Sequence, residues 1–304
     1  MADKFLLSKK IHSSVIYAFY VGVWSIFNFV ILPFDFWIPN VQELALDLFA
    51  GFLFLVTLVF WYKALHQSEA TRVVPIVGAL VPIFSFMLSF VFLGESLSRQ
   101  QFLAFLILIY GGVLMSVKHT KFYAWKEVTN KFKNVFGNYF GGIHAEYRPT
   151  RRLIFNSTAS ALLFAAYYVL IKSIYMSQPF IGAFVWSRLG TFLGTLAILF
   201  FPDWRRMIFK HQKNQKSPKN MSFFLTVRLF AALAFIMLNW AISMGPVALI
   251  NSIQGAQYVF LFLIVLFLSR KYPKILREEM GGGVMIQKVI GASLVCTGLY
   301  MLVT

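Results

Sequence analysis

The sequence predicts an all-α membrane protein with nine transmembrane helices, and three observations carry that prediction. Hydrophobic residues make up 59% of the 304 and charged residues only 13%, where a water-soluble domain carries about a quarter charged. The mean hydropathy is +0.71. Apolar runs long enough to bridge ~30 Å of hydrocarbon, about 20 residues each, recur along the whole chain; the alternating segments of about ten residues that mark an outer-membrane barrel do not. A soluble globule is excluded.

Helix A (14-34) is a full-length span with no small-residue cleavage pattern behind it, so it reads as a retained span rather than a signal peptide. Helices B (44-64) and C (71-93) meet at a short turn flanked by Lys63 and Arg72. In C, Pro75 and Pro82 bracket Gly78, a pattern that kinks a helix or opens backbone carbonyls to a cavity. Helix D (100-117) closes the first half. In the basic stretch 118-152, Trp125, Val128, Phe132, Val135, Phe136 and Tyr139 recur at helical spacing among lysines. That stretch reads either as an amphipathic helix in the membrane interface or as a solvated linker. Helix E (153-175) opens the second half. Helix F (179-201) holds Gly190 and Gly194, spaced for close helix packing. Helices G (222-243), H (247-269) and I (285-303) complete the set.

The charges are placed unevenly. Of 28 Lys+Arg, against 11 Asp+Glu, nearly all lie in the amino-terminal segment, the B-C turn, the 118-152 stretch, the F-G loop and the H-I loop. The opposite loops hold only Arg99 and Lys172. The positive-inside rule then puts the long basic loops and the amino terminus as given in the cytoplasm, the carboxyl terminus outside, and the chain in the cell membrane. The net charge of +17 answers to topology and anionic lipid, and nucleic acid is not an expected partner. A single cysteine, Cys296, excludes an intrachain disulfide framework and a cysteine-based zinc site. The histidines His12, His66, His119, His144 and His211 lack ligand spacing, and no Walker loop, dinucleotide fingerprint or nucleophile elbow occurs. No cofactor, metal or enzymatic activity is expected.

The two halves are related. Ala64 aligns with Ala241 and Gly78 with Gly255 at one constant offset, matching B-C to G-H. Gln101 with Gln287 and Gly112 with Gly298 match D to I at an offset nine residues larger, the difference being an insertion in the H-I loop that contains Gly281, Gly282 and Gly283. Ser14 with Pro179 and Phe19 with Phe184 match A to F. Because helix E intervenes, each element and its copy are an odd number of spans apart, and the halves point in opposite directions. Inverted repeats are a transporter signature, since exchanging the conformations of two half-structures around one site gives alternating access. Helix E has no counterpart before A: Met1 aligns with Ala166, already deep inside E. The expected architecture is therefore an inverted repeat of a ten-helix ancestor lacking its first helix. Its units are an incomplete first repeat (1-117), a basic cytoplasmic linker (118-152) and a second repeat (153-304).

Helix C and its flanks carry the most recognisable text: Tyr62-Lys63-Ala64-Leu65, Pro75, Pro82-Ile83-Phe84-Ser85, Phe92-Leu93-Gly94-Glu95-Ser96-Leu97, Gln100-Gln101 and Gly111-Gly112-Val113. This resembles the EamA-like families of the drug/metabolite transporter superfamily, whose repeat ends with a Pro in the fourth helix, a Gly-Glu after it and a Gly-rich fifth helix. The resemblance implies a ten-helix secondary transporter, many relatives being exporters of amino acids or other small metabolites. Two departures stand. Ser269-Arg270 occupies the place of Gly94-Glu95 in the second half, which makes that motif a helix-end feature. The family is also drawn with both termini cytoplasmic, against the topology that the charges give.

An ionisable group in mid-bilayer costs about 2.5 to 3.5 kcal/mol on insertion scales, so each one needs a reason. Arg188 sits near the centre of F, too deep to snorkel easily, and its aligned partner in the first half is Val23. No Asp or Glu lies at comparable depth; Asp47 is close to the outer end of B. A guanidinium facing a cavity suits a substrate carboxylate or phosphate through paired hydrogen bonds; its structural alternative is bonding to carbonyls or amides of a neighbouring helix. On helix H, Gln254, Gln257 and Tyr258 share one helical face, with Asn251 one turn before, as cavity lining or interhelical glue. Trp24 and Asn28, four apart on A, and Tyr167 and Tyr168 of E supply candidate aromatic and polar walls, while Asn239 and Trp240 of G read as lining or as an interfacial belt.

The function expected is secondary transport of a small anionic or zwitterionic, amino-acid-like metabolite by alternating access, with helices A, C, E, F and H around a midplane cavity. A lipid-intermediate flippase of the same superfamily is the alternative. A membrane-embedded transferase has only Glu278-Glu279 in a loop to support it, and a truncated chain that is inactive or pairs with another chain is the remaining reading. Expected partners are the small-molecule substrate and membrane lipids, with a homodimer as one assembly the reading allows.

Overall fold

In a computed structural model of the chain, residues 13–67, 70–116, 151–214, 218–257, 259–260, 263 and 282–303 are described. Every regular element among them is helical: α1 (Ser14–Trp24), which runs into a 3-10 segment (Ser25–Phe34), α2 (Val41–Gln67), α3 (Ala70–Leu93), α4 (Arg99–Ser116), α5 (Arg151–Tyr175), α6 (Phe180–Ile198), α7 (Pro202–Asn214), α8 (Pro218–Met244), α9 (Val247–Ile253) and α10 (Gly282–Val303). Five stretches are long and apolar enough to cross a membrane: Ser14–Phe34, Val41–Gln67, Ile76–Leu93, Arg151–Tyr175 and Phe180–Ile198. Shorter apolar helices cover Arg99–Met115, Leu229–Met244 and Ile286–Leu302. The predicted span 247-269 is described as continuous helix only over Val247–Ile253. The chain is a multi-pass membrane protein, all-helical among the described residues. The linker 118-152, apart from Arg151 and Arg152, lies outside the described residues, as do Gly281 and the Glu278-Glu279 pair.

Helix starts follow from local chemistry. At α2, Asn40 Oδ1 accepts the backbone N–H groups of Gln42 (3.0 Å) and Glu43 (2.9 Å), and Glu43 Oε2 accepts that of Asn40 at 2.8 Å, a reciprocal capping box. Ser98 and Gln101 repeat the device at α4, so Gln101 of the recognisable text is structural. Gly94 ends α3 with φ 66°, a left-handed conformation natural to glycine. The next residue, Glu95, accepts the Val247 N–H at 3.1 Å and so caps α9 of the other half. Gly94-Glu95 is thus a helix-end feature, and Glu95 ties the halves together.

Helix A is not uniform. It leaves α-helical geometry at Ser25, whose Oγ lies 2.6 Å from Gly22 O and 3.0 Å from Arg188 O, while Asn28 Nδ2 donates to Ser25 O at 2.8 Å. Side chains that bond to the backbone in this way compete with the helical ladder, and Pro33 removes a further donor.

Glycines set the closest crossings. A Cβ on Gly51 of α2 would meet Ser187 O, and one on Gly190 of α6 would meet the backbone of Leu48, so the two helices touch main chain to main chain. Thr191 Oγ1 reinforces the crossing by donating to Gly51 O at 3.0 Å. Helices α4 and α10 cross in the same manner, Gly111 against Gly291. Helix α5 packs along both α2 and α3, and α9 sits against α3.

The loop predicted between F and G contains the helix α7. Pro202 and Asp203 suit its first turn. Ile208 is buried while Trp204, Met207 and Phe209 stay exposed beside Arg205 and Arg206, the composition of a helix lying in a membrane interface.

Candidate functional site

Residues of α1 and the 3-10 segment after it, α2, α3, α5, α6, α8, α9 and the turn after α9 line a cavity of about 860 Å³, within the range of small-molecule sites. Helices B and G therefore join A, C, E, F and H in its wall, B through Phe54, Leu58, Trp61 and Tyr62 and G through Thr226 and Phe235 among others.

Arg188 is the cation of this cavity. It lies at the centre of α6 and is 3% exposed. The guanidinium carbon stands 4.4 Å from the Phe54 ring centre, 4.8 Å from that of Phe235, 5.4 Å from that of Phe184 and 5.5 Å from that of Tyr167. Nη2 donates to Tyr167 Oη at 2.6 Å, and Nε is buried without a hydrogen-bond partner. Tyr167 in turn donates to Asn239 Oδ1 at 3.2 Å, an oxygen that also accepts from Tyr175 Oη at 3.2 Å. Asn239 is fixed by donating from Nδ2 to Phe235 O at 2.9 Å. No carboxylate among the described residues pairs with Arg188. Each ring face supplies about 0.5 to 2 kcal/mol of cation–π attraction. The rings together offset much of the insertion cost while leaving the positive charge in place.

The other candidates fall on the same wall with different degrees of freedom. Asn251 is buried, donates from Nδ2 to Ser85 Oγ at 2.8 Å and accepts from Gln254 Nε2 at 2.9 Å. Its amide is thus engaged in joining α3 to α9. Gln254 and Gln257 line the cavity, at a break in the helix. The helix ends at Ile253, residues 254–255 form a turn, and Gly255, stripped of a side chain, comes within 3.4 Å of Leu108 O at its would-be Cβ. Tyr258 lies outside the described residues. Trp24 and Asn28 both line the cavity, Trp24 stacked on Phe27 with ring centres 4.8 Å apart. They straddle the change from α to 3-10 geometry, so the four-residue α-helical face expected of them is not formed. Tyr168 also lines the cavity, stacked on Phe164.

Two features escaped the sequence reading. The cage rings Phe54, Phe184 and Phe235 are three among 35 Phe, and nothing in their spacing sets them apart. Asp47 was assigned to the outer end of B, yet it is 0% exposed, and neither carboxylate oxygen has a hydrogen-bond partner.

Residues 3–117 match the model of the EamA-like transporter family. The EamA-like segment takes in α1 to α4, and with them Phe54 of the cage and the Gly94-Glu95 cap. No curated protein matches the chain. Sixteen chains of solved structures match it. One, a crystal structure, superposes with a TM-score of 0.59 at 14% identity over 98% of this chain and 90% of its own. At that identity the likeness concerns the fold alone.

Proposed function

We propose that the protein is a secondary transporter that carries a small anionic or zwitterionic, amino-acid-like metabolite across the cell membrane. The observation that carries this reading is Arg188, a buried guanidinium that borders an 860 Å³ cavity, is solvated by aromatic rings and, among the described residues, is paired to no carboxylate. A cation held in that way attracts an anionic group, and the fork of a guanidinium favours carboxylate or phosphate. Gln254 and Gln257 supply amides for the remaining polar groups of the substrate, and Trp24, Asn28 and Tyr168 line its apolar body; Asn251 positions Gln254. In this reading the chain comprises repeats 1-117 and 153-304 in opposite orientation, with nine spans and cytoplasmic basic loops, and the halves rock about the cavity to expose it to each side in turn.

The test is flux in proteoliposomes with a panel of radiolabelled amino acids and with fluorescent short-chain phospholipids. Uptake of an amino acid that is lost in Arg188→Ala and impaired in Arg188→Lys is the expected result. Scrambling of the lipid with no amino-acid flux would replace this reading by the flippase. Flux unaffected by both substitutions would remove Arg188 from the site.

A further inference from the structure

Asp47 has no role in the cavity described above, and its surroundings give it one. It projects from the second turn of α2 and is fully buried. Both carboxylate oxygens lack a donor, and so does Oε1 of the buried Gln178. The polar groups within electrostatic reach are the Gln178 side chain, Glu43 one turn back on α2 and the Tyr175 phenol at the end of α5. Glu43 is held at the helix start by the backbone of Asn40. From the other elements packed on α2, α5 offers Lys172, whose Nζ donates to Ser243 O at 3.2 Å, together with Tyr167 and Tyr168. Helix α6 offers only Arg188, engaged with Tyr167, and α1 has only the phenols Tyr17 and Tyr20. Among these described residues no cation is bonded to Asp47; its close polar neighbour is the Gln178 amide, whose Oε1 has no donor of its own.

The geometry points to Asp47 as a proton-binding site linked to the substrate site. A proton taken from water adds to a carboxylate oxygen, and the resulting O–H donates to Gln178 Oε1, which satisfies both orphaned groups. Loss of that proton returns a carboxylate that recruits the Tyr175 hydroxyl. Tyr175 then leaves Asn239 Oδ1, the atom it shares with Tyr167, and Tyr167 holds Arg188. The chain Asp47, Tyr175, Asn239, Tyr167, Arg188 therefore lets the proton state of one end alter the donor set around the guanidinium at the other. The link to transport rests on the proposed function; the proton site does not.

The experiment is pH-difference infrared spectroscopy of the protein in liposomes without added substrate, on samples labelled with ¹³C at the aspartate carboxyl. Asp47 is the one buried carboxyl among the described residues. The expected result is a protonated-carboxyl band that shifts with the label, titrates away as pH rises, is absent in Asp47→Asn and moves in frequency in Gln178→Leu. Its titration midpoint also shifts in Asn239→Ala and Tyr167→Phe, which cut the chain without touching Asp47. The isotope shift in the unsubstituted protein assigns the band even if Asp47→Asn does not fold. No label-sensitive carboxyl band at any pH, or one that persists in a folded Asp47→Asn, would overturn the proton site. A band whose midpoint ignores both Asn239→Ala and Tyr167→Phe would overturn the link. Failure of amino-acid flux would leave all these readouts intact, so the two proposals fail separately.

Discussion

Replacing Arg188 by Met separates the cost of the charge from its use. The substitution keeps most of the side-chain volume and removes the guanidinium. In the empty protein three effects oppose one another. The insertion cost of about 2.5 to 3.5 kcal/mol is relieved. Four ring contacts at 4.4 to 5.5 Å, worth about 0.5 to 2 kcal/mol each, are exchanged for sulfur–aromatic contacts of about 0.3 to 1.5 kcal/mol. Tyr167 loses one neighbour but keeps Asn239. The net change in stability is close to zero, and the melting temperature in detergent moves by no more than a few degrees. Binding is another matter. A hydrogen bond to a charged group contributes about 1.5 to 3 kcal/mol, which at about 1.4 kcal/mol per tenfold is a loss of roughly 10- to 150-fold in affinity. Scintillation-proximity binding of the amino acid that gives flux is the assay, with Arg188→Lys falling between the two because it keeps the charge and loses the fork. A Met variant that binds as tightly as the parent would refute the argument. So would one that unfolds, since the cation would then be holding the helices together.

Other sites give sharper structural outcomes. Gly51→Val drives a side chain into the backbone of Ser187 and Thr191; the expected result is loss of monodisperse protein on size-exclusion chromatography, whereas Gly94→Ala, with open space around its Cβ, leaves a folded protein destabilised by its left-handed φ alone, about 1 kcal/mol. Glu95→Ala leaves the first N–H of α9 uncapped and costs about 1 kcal/mol, read as a lower melting temperature with Glu95→Gln in between. Phe54→Leu removes the ring nearest the guanidinium and lowers the stability of the parent by about 2 kcal/mol or more through packing and lost cation–π attraction. In an Arg188→Met background the same change costs less, and the difference between the two measures the ring–cation term.

Much of the fold was legible because it rests on composition and on short-range chemistry. Uninterrupted apolar runs dictate helices, since in hydrocarbon the backbone must bond within its own segment, and the wall of the cavity was marked by polar residues that have no reason to be in lipid. Arg188, Asn251 and Gln254 were conspicuous on that ground. What the sequence hid depends on three-dimensional neighbours. The end of the helix at Ile253 follows from where Gly255 meets α4, and the 3-10 turn at Ser25 follows from the contact with Arg188 O; neither partner is near in sequence. Asp47 lies near the end of its apolar run, as the sequence places it, but its burial beside Gln178 depends on a neighbour that the run does not show. Phenylalanines in the cage are chemically identical to those that face lipid.

The central claim is that the cavity around Arg188 is a substrate site open alternately to the two sides of the membrane. Gly78 lines that cavity and is exposed within it, and the single native thiol can be removed by Cys296→Ser. A Gly78→Cys, Cys296→Ser protein in oriented vesicles, treated with a membrane-impermeant thiol reagent from each side, measures access directly. The account predicts labelling from both sides at rates that a bound amino acid changes in opposite directions. Labelling confined to one side with and without the amino acid, or labelling to which the amino acid makes no difference, contradicts it.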